Sequence, residues 1–309
     1  MNALSAVVIL LSMVGCASAT PQTNAIFSRG FTIPSYHVIE DVPFIRQTAG
    51  HCGPATLAMV LKWSGHDVGV DSLSTQVFTP DVNGSFQADM ISASRRSGMV
   101  AIPIEGLTAL LEEVKSGHPV IVFENLSVSW LPQWHYAVVF GYDLFNHRII
   151  MHSGAEAFKY WDLGTFERSW KLGNYWGLVV LPPDQLSATA SEFAHVTAAS
   201  VLEQLGKTES AEKAYHQILQ RWPKSLIARI GLGNIAYSKK EYSKAVDLLR
   251  QAVVDHPDSA IVWHNLVFAE AAIGNAKEAR RSAFEALRWV DDEARSFYTE
   301  SLSEWATPR

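Results

Sequence analysis

The sequence predicts an α+β domain followed by an all-α domain of helical repeats. Between residues 35 and 183, helical patterns alternate with short apolar runs typical of strands, and beyond residue 192 only helical periodicity remains. Two prolines followed by small polar residues over 184–191 indicate a linker between these regions. A length of 309 residues agrees with two domains.

The composition describes a globular chain whose main partner is not nucleic acid. Hydrophobic residues make up 48% and charged residues 18%, so most of the chain can bury a core. The net charge is −6 and no block of Lys and Arg stands out, which argues against nucleic-acid binding. Two cysteines, Cys16 and Cys52, exclude a disulfide framework beyond one bridge.

The N-terminus predicts an export signal. Residues 4–14 form an apolar run that is too short to span a bilayer comfortably, which favours the core of a signal peptide. The run ends in Met13-Val-Gly-Cys16, and small residues before a cysteine resemble the lipobox of bacterial lipoproteins. This resemblance implies a signal peptide over 1–15, acylation of Cys16 and a tether over 16–34.

The same resemblance gives an expected location. A lipid anchor on Cys16 implies the bacterial cell envelope, and Ala17 after the cysteine implies the outer membrane, facing the periplasm. Cleavage after Ala19 is the alternative, and it implies a soluble periplasmic protein.

A candidate nucleophile lies at the start of the first predicted helix. Cys52 precedes Pro54 and an apolar helical pattern that runs to Trp63, and proline suits the first helical turn. Backbone donors and the positive end of the helix dipole favour a thiolate there. Gln47 lies five residues before the cysteine and offers an amide donor.

A candidate base follows later in the chain. His135 opens a strand-like apolar run that continues to Asp143. The order of glutamine, cysteine and histidine is that of thiol enzymes in which an imidazole holds the thiolate as an ion pair.

The remaining elements of this domain follow from periodicity and from glycines that end helices. The predicted helices and strands are helices at 54–63, 72–78, 87–98 and 107–115, and strands at 99–105, 119–123, 136–142, 148–152 and 176–181. A helix that carries the cysteine would then pack on an antiparallel sheet that carries the histidine.

Together these motifs resemble the bacteriocin-leader-processing, or double-glycine, cysteine peptidases, in their stand-alone secreted branch. The residues that carry the likeness are Val42-Pro-Phe, Gln47, Cys52-Gly-Pro-Ala and His135-Tyr-Ala-Val-Val-Phe-Gly-Tyr-Asp. The resemblance implies a papain-like domain over 35–183 that hydrolyses peptide bonds. Cys52 would attack the carbonyl, His135 would transfer the proton, and Gln47 with the backbone N–H of Cys52 would stabilise the oxyanion.

The third catalytic position departs from the family pattern. The resemblance predicts an Asp about eighteen residues after the histidine, where this chain has Ser153, next to His152. A hydroxyl can accept a hydrogen bond from the imidazole but carries no charge to support an imidazolium. Other residues that could orient the imidazole are Asp143, Asn146 and Asp162.

Other polar and aromatic residues receive weaker predictions. We expect His51 and His118 to be structural or solvent-exposed. We expect His147 and His152 to lack a third metal ligand, so neither a metal nor a cofactor is expected. Three aromatic residues near the base could line a cleft or pack in the core: Trp130, Trp134 and Tyr136. Three others are expected in the core: Trp161, Trp170 and Trp176.

The second domain, 192–309, shows a period of 34 residues. Pro223 and Pro257 are one period apart, and small residues recur at Ala211, Ala245 and Ala279. This spacing resembles tetratricopeptide repeats, which implies three helix pairs over 192–225, 226–259 and 260–290 with a capping helix over 291–305. Such repeats bind peptides or proteins on a concave face, although they could also only stabilise the first domain.

Three functions remain open at this point. The first is a lipid-anchored cysteine peptidase whose repeats recruit a peptide or protein substrate or partner. The second is a weakly active or inactive peptidase-like scaffold that binds peptides, because the third catalytic position lacks a carboxylate. The third is an acyltransferase or transglutaminase that uses the same thiol, because a nucleophile alone does not fix the acceptor.

Overall fold

A computed structural model describes residues 20–30, 32–48 and 50–306. The predicted signal peptide and the lipidation site Cys16 lie outside these residues. The chain divides into two units, one that extends to Pro182 and includes Ser187–Ala190, and one that comprises Pro183–Leu186 and Ser191–Arg309. No helix within the described ranges is both long and apolar enough to span a membrane.

The first unit is built on one antiparallel sheet, which confirms the predicted α+β class. Its strands run in the order β2-β7-β3-β4-β5-β6, and β1 pairs with the far end of β4. The strand bounds are β1 Tyr36–Val38, β2 Val100–Glu105, β3 Val120–Asn125, β4 Trp134–Asp143, β5 Arg148–Ser153, β6 Glu156–Asp162 and β7 Trp176–Leu181.

Six α-helices of this unit lie within the part of residues 20–182 that the structure describes. Their bounds are α1 Pro21–Arg29, α2 Cys52–Trp63, α3 Val70–Val77, α4 Gln87–Arg96, α5 Leu107–Lys115 and α6 Leu163–Leu172. The helix α2 buries every residue from Gly53 to Leu61, because its sequence is apolar on all sides. It packs mainly on β4 and on α3, so its N-terminus is fixed relative to the sheet.

The structure differs from the sequence-based expectation at four elements. Strands β1 and β6 and helix α6 were not predicted; β1 has only three residues, and β6 is an edge strand whose residues are mostly exposed, so no buried apolar run marks either strand. Helix α1 lies inside the range 16–34 that we expected to be a tether. The Glu167 carboxylate accepts hydrogen bonds from the backbone N–H groups of Gln22 and Thr23 at 2.9 and 2.7 Å, which fixes α1 on the domain.

The second unit is all helical, as predicted. Three helix pairs follow the 34-residue period: α7 Glu192–Gln204 with α8 Thr208–Arg221, α9 Leu226–Ser238 with α10 Tyr242–Asp255, and α11 Ala260–Ala272 with α12 Ala276–Trp289. Fully buried alanines lie at the predicted contact positions Ala211, Ala245 and Ala279. Where one capping helix was expected, two short helices are present, α13 Arg295–Ser301 and α14 Ser303–Ala306.

Part of the expected linker is held on the first unit by a buried carboxylate. Glu113, on α5, accepts hydrogen bonds from the hydroxyl groups of Ser187 and Thr189 and from the backbone N–H groups of Ala188 and Thr189. The His118 ring nitrogen Nδ1 lies 2.7 Å from the same carboxylate, so His118 has the structural role expected for it. Burial by itself would raise the pKa of Glu113, but the hydrogen bonds from His118, Ser187 and Thr189 outweigh it and lower the pKa to about 2.

We expect Glu113→Gln to destabilise the first unit by at least about 2 kcal/mol, because several buried donors lose a charged acceptor. A carboxylate with a depressed pKa contributes stability above its unfolded pKa and loses that contribution as the pH falls. The wild-type urea midpoint should therefore fall between about pH 4.5 and pH 2. Equal slopes of the urea midpoint against pH in wild type and variant would contradict this role.

Candidate active site

Cys52 is the first residue of α2 and lies next to the point where α2 packs closely against Ser85. The next residue, Gly53, approaches the Ser85 side chain so closely that a Cβ atom at position 53 would collide with it. A glycine is therefore required after the cysteine, because no side chain fits between α2 and the segment before α4. His51 stacks on Phe78 with ring centroids 4.7 Å apart and so has a structural contact.

Gln47 connects the segment before α2 to the ends of two strands. Its backbone N–H donates to the Gly154 carbonyl at 3.1 Å, and its side-chain Oε1 accepts from the Gly154 N–H at 3.0 Å. Its Nε2 donates to the Tyr136 carbonyl at 3.3 Å. Because one neighbour is a donor and the other an acceptor, the amide has only one orientation that satisfies both. One N–H of the amide remains for another acceptor.

The His135 side chain is oriented by Ser153. Its Nε2 lies 3.1 Å from the Oγ atom of Ser153. Ser153 is the residue at the position where the family resemblance predicts an Asp. With Nε2–H donating to the serine oxygen, Nδ1 is the nitrogen that can accept a proton. Ser153 is almost fully buried at the end of β5, so the contact is shielded from water.

The other candidates for orienting the imidazole lie elsewhere. Asp143, at the opposite end of β4 from His135, binds the backbone and side-chain nitrogens of Asn146. Asp162 caps α6 by accepting from the Thr165 N–H. His152 donates from Nε2 to the Val42 carbonyl and accepts the Phe158 N–H at Nδ1, so neither ring nitrogen is available to His135 or to a metal.

Gln47, Cys52 and His135 line one cleft of about 780 Å³. The cleft lies between the segment before α4 and the ends of β3, β4 and β5, and its other walls include Phe86, Phe123, Trp134, Tyr136 and Gly154. Two of the three expected aromatic residues, Trp134 and Tyr136, thus face this cleft. Of the three aromatic residues expected in the core, Trp170 is fully buried. Trp161 and Trp176 are partly buried and pack against the edge of the core.

Trp130 does not line the cleft but lies in the turn between β3 and β4. This hairpin turn, residues 126–133, contains no charged residue, and Trp130 and Leu131 are 83% and 69% exposed. Asn125 holds the turn, because its Oδ1 accepts from the N–H groups of Ser127 and Gln133 at 3.0 and 2.8 Å. The turn is therefore an ordered apolar projection next to the cleft.

Burial determines the protonation of the two reactive groups. It raises the pKa of the Cys52 thiol, although N–H groups of Tyr136, Gly53 and Cys52 itself act in the opposite direction. Burial, together with the positive charge of Lys159, lowers the pKa of His135 to about 4. Both shifts favour the neutral forms of the thiol and the imidazole, and so they act against the ion pair that the sequence analysis predicted.

A buried acid beside the base was missed by sequence reasoning. Glu124 lies on β3 directly opposite His135 on β4 and is fully buried. Its Oε2 accepts from the Ser169 hydroxyl on α6 at 2.7 Å. In the sequence, Glu124 is visible only as a single acidic residue at the end of an apolar strand pattern. Its position opposite His135 follows only from the pairing register of β3 with β4. Ser85 and Gly154 were also missed, because they are recognised only by their contacts in the folded chain.

Comparison with known families matches both units. Residues 39–175 match the Peptidase_C39 like family, and residues 196–260 match the Tetratricopeptide repeat family. A search of curated proteins found no match.

Solved structures give distant likenesses. A putative C39-like peptidase from Bacillus anthracis has 16% identity and a TM-score of 0.42, with 49% of this chain and 98% of that chain covered. The peptidase domain of Streptococcus ComA, a bifunctional ABC transporter, has 21% identity and a TM-score of 0.38, with 46% and 98% covered. The tetratricopeptide-repeat protein YrrB has 20% identity and a TM-score of 0.32, with 38% and 61% covered.

Each matched range lies within one of the two units described above. The first range holds Cys52 and His135, and the second holds most of the first two helix pairs. This chain therefore combines a C39-like peptidase domain with a domain of tetratricopeptide repeats.

Proposed function

We propose that the first domain is a cysteine peptidase in which Cys52 is the nucleophile and His135 the proton-transfer group. The observation that carries this proposal is the shared cleft, which is lined by Cys52, His135 and Gln47. The hydrogen bond between His135 Nε2 and Ser153 leaves Nδ1 as the ring nitrogen that would accept the thiol proton.

A neutral pair fits a mechanism in which proton transfer accompanies attack. As Sγ forms a bond to the scissile carbonyl carbon, the S–H bond breaks and the proton moves to His135 Nδ1. The remaining N–H of Gln47 and the backbone N–H of Cys52 would stabilise the oxyanion, and one such donor contributes about 3 kcal/mol. The imidazolium then protonates the leaving amine, and water hydrolyses the thioester.

The walls of the cleft favour a peptide with apolar side chains. Phe86 and Trp134 are each about half exposed at the cleft, and Val82 adds a third exposed apolar side chain. Apolar surface of this kind is what an extended peptide segment would cover. We infer that the substrate is a peptide or a mobile segment of a protein.

A second candidate is peptide binding with little or no turnover. Ser153 favours it, because this residue hydrogen-bonds to His135 without the charge that would stabilise an imidazolium. The same cleft would then capture a peptide without releasing two products.

The repeat domain would recruit a peptide or protein partner. Phe193, Ile227 and Ile261 occupy the same position in the first helix of the three pairs, 34 residues apart, and all three side chains are exposed. A row of exposed apolar side chains at the repeat spacing supports binding of an extended partner.

The central test combines alkylation of Cys52 with peptide cleavage. We expect iodoacetamide to label Cys52 and His135→Ala to slow this labelling at least tenfold, because the base that accepts the thiol proton is lost. Cys52→Ala should abolish cleavage of a peptide library, with hydrolysed products detected by mass spectrometry. Cleavage that persists in Cys52→Ala would contradict the peptidase, whereas products joined to an amine would indicate acyl transfer.

The variant Ser153→Asp tests the third catalytic position. A carboxylate on Nε2 should raise the pKa of His135, and each unit of pKa corresponds to about a tenfold change in the ratio of the protonated to the neutral imidazole. We therefore expect alkylation of Cys52 at pH 6 to accelerate roughly tenfold in Ser153→Asp and to slow in Ser153→Ala. If Ser153→Asp reacts no faster than wild type, Ser153 does not set the protonation of His135.

We also propose that the chain is anchored by a lipid on Cys16 in the bacterial cell envelope, on the outer membrane facing the periplasm. The Met13-Val-Gly-Cys16 sequence supports this proposal. Labelling with a palmitate analogue in cells should be lost in Cys16→Ser and retained in Cys52→Ala. Equal labelling of Cys16→Ser and wild type would rule out the anchor.

A further inference from the structure

Glu124 is a buried acid that the proposed mechanism does not use. Its Cα is paired with that of His135 in the register of β3 with β4. Directly opposed residues of antiparallel strands project from the same face of the sheet, with Cβ atoms about 5 Å apart. The carboxyl group thus shares one face of the sheet with the imidazole.

The hydrogen bonding of Glu124 is incomplete. Oε2 accepts from the Ser169 hydroxyl at 2.7 Å, but within the described part of the chain Oε1 has no hydrogen-bond partner. The side chain is fully buried, so bulk water does not reach it. A buried carboxyl with an unpartnered oxygen costs free energy, which a Leu or Met would not. Its presence is therefore explained better by an electrostatic role than by packing.

The elements packed around Glu124 bring one cation towards it. Lys159 on β6 acts electrostatically on both Glu124 and His135, but its ammonium also lies 3.4 Å from the Glu156 carboxylate and over the Trp161 ring. On α6, the Glu167 carboxylate already accepts hydrogen bonds from the backbone N–H groups of α1. Strand β7 contributes only uncharged residues. His135 is then the group opposite Glu124 whose charge changes during the reaction.

We propose that Glu124 is a positioning residue for His135, whose carboxylate stabilises the imidazolium formed when His135 accepts the thiol proton. It acts across the β3–β4 pair and supplies the negative charge that Ser153 lacks. This inference rests on the proposed peptidase chemistry and adds a residue to it.

The proton balance is simple. The S–H bond of Cys52 breaks and an N–H bond forms at His135 Nδ1, while Glu124 remains a carboxylate throughout. An ionised carboxyl on the same face of the sheet as the imidazolium would stabilise it, and each pKa unit of such stabilisation corresponds to roughly a tenfold increase in the thiolate population.

Such a role gives reactivity a pH dependence near neutrality. Burial raises the pKa of Glu124 to about 7, against the lowering effects of the Ser169 hydrogen bond and Lys159. Because only the ionised carboxyl stabilises the imidazolium, the thiolate population rises as the pH increases through 7. A second rise follows at higher pH, when the thiol ionises without the imidazole.

The test is the pH profile of Cys52 alkylation in the full chain. Iodoacetamide is applied from pH 5 to pH 10, and the rate is read by mass spectrometry on the peptide that contains Cys52, which separates it from Cys16. We expect wild type to show a step of roughly tenfold centred near pH 7. Glu124→Gln should lose this step and keep the rise at higher pH.

Two further variants make the result specific. Ser169→Ala removes the hydrogen bond that favours the charged form, so the step should remain but move to higher pH. Glu167→Gln removes another fully buried carboxylate, whose partners are on α1 and Tyr175, and it should leave the step unchanged. Circular dichroism checks that each variant is folded.

Each outcome decides between the two proposals. A step near pH 7 that persists in Glu124→Gln, or a step that does not move in Ser169→Ala, overturns the role of Glu124 while the peptidase proposal stands. Labelling that is independent of His135 at every pH overturns both. If Glu124→Gln does not fold, the shift in Ser169→Ala still supports or overturns the inference.

Discussion

The hydrogen bonds of Gln47 fix the geometry on which the site depends. One residue joins the segment before α2 to the end of β5 through two bonds to Gly154 and to β4 through the Tyr136 carbonyl. Cys52 follows five residues later, and His135 and Ser153 are immediate neighbours of the two anchoring positions. A movement of Gln47 relative to the sheet would break bonds in this group. The residue proposed to stabilise the oxyanion thus also ties the segment before the cysteine helix to the strands that carry His135 and Ser153.

Desolvation is the second constraint, and it opposes the helix dipole. The N-terminus of α2 favours a thiolate, but burial of the thiol is the larger effect and raises the pKa of Cys52. The same burial lowers the pKa of His135 and raises that of Glu124. Cys52 and His135 therefore favour their neutral forms at neutral pH, whereas Glu124 titrates near neutrality. In the proposed mechanism, the charges would then separate only when a substrate carbonyl is present to accept the sulfur.

The sequence was sufficient for the elements with strong periodicity, and it singled out three residues that line one cleft in the structure: Gln47, Cys52 and His135. Helix α2, the strands that carry His135 and Ser153, and the repeat period all have regular apolar patterns. Strand β6 could not be predicted, because an exposed edge strand has no buried face. Glu124 could not be linked to His135, because strand register is a long-range property. The protonation of Cys52 depends on burial, which a helix-start motif does not reveal.

The turn between β3 and β4 has one more consequence. Asn125 already holds its backbone through bonds to Ser127 and Gln133, and Pro132 restricts it further. A ligand that covers Trp130 and Leu131 would therefore not have to order a loose segment, so little conformational entropy would be lost on association. Replacing Asn125 with alanine would not remove Trp130 or Leu131, but it would remove the bonds that order the turn. The complex would then be weaker, because binding would have to order a more flexible turn.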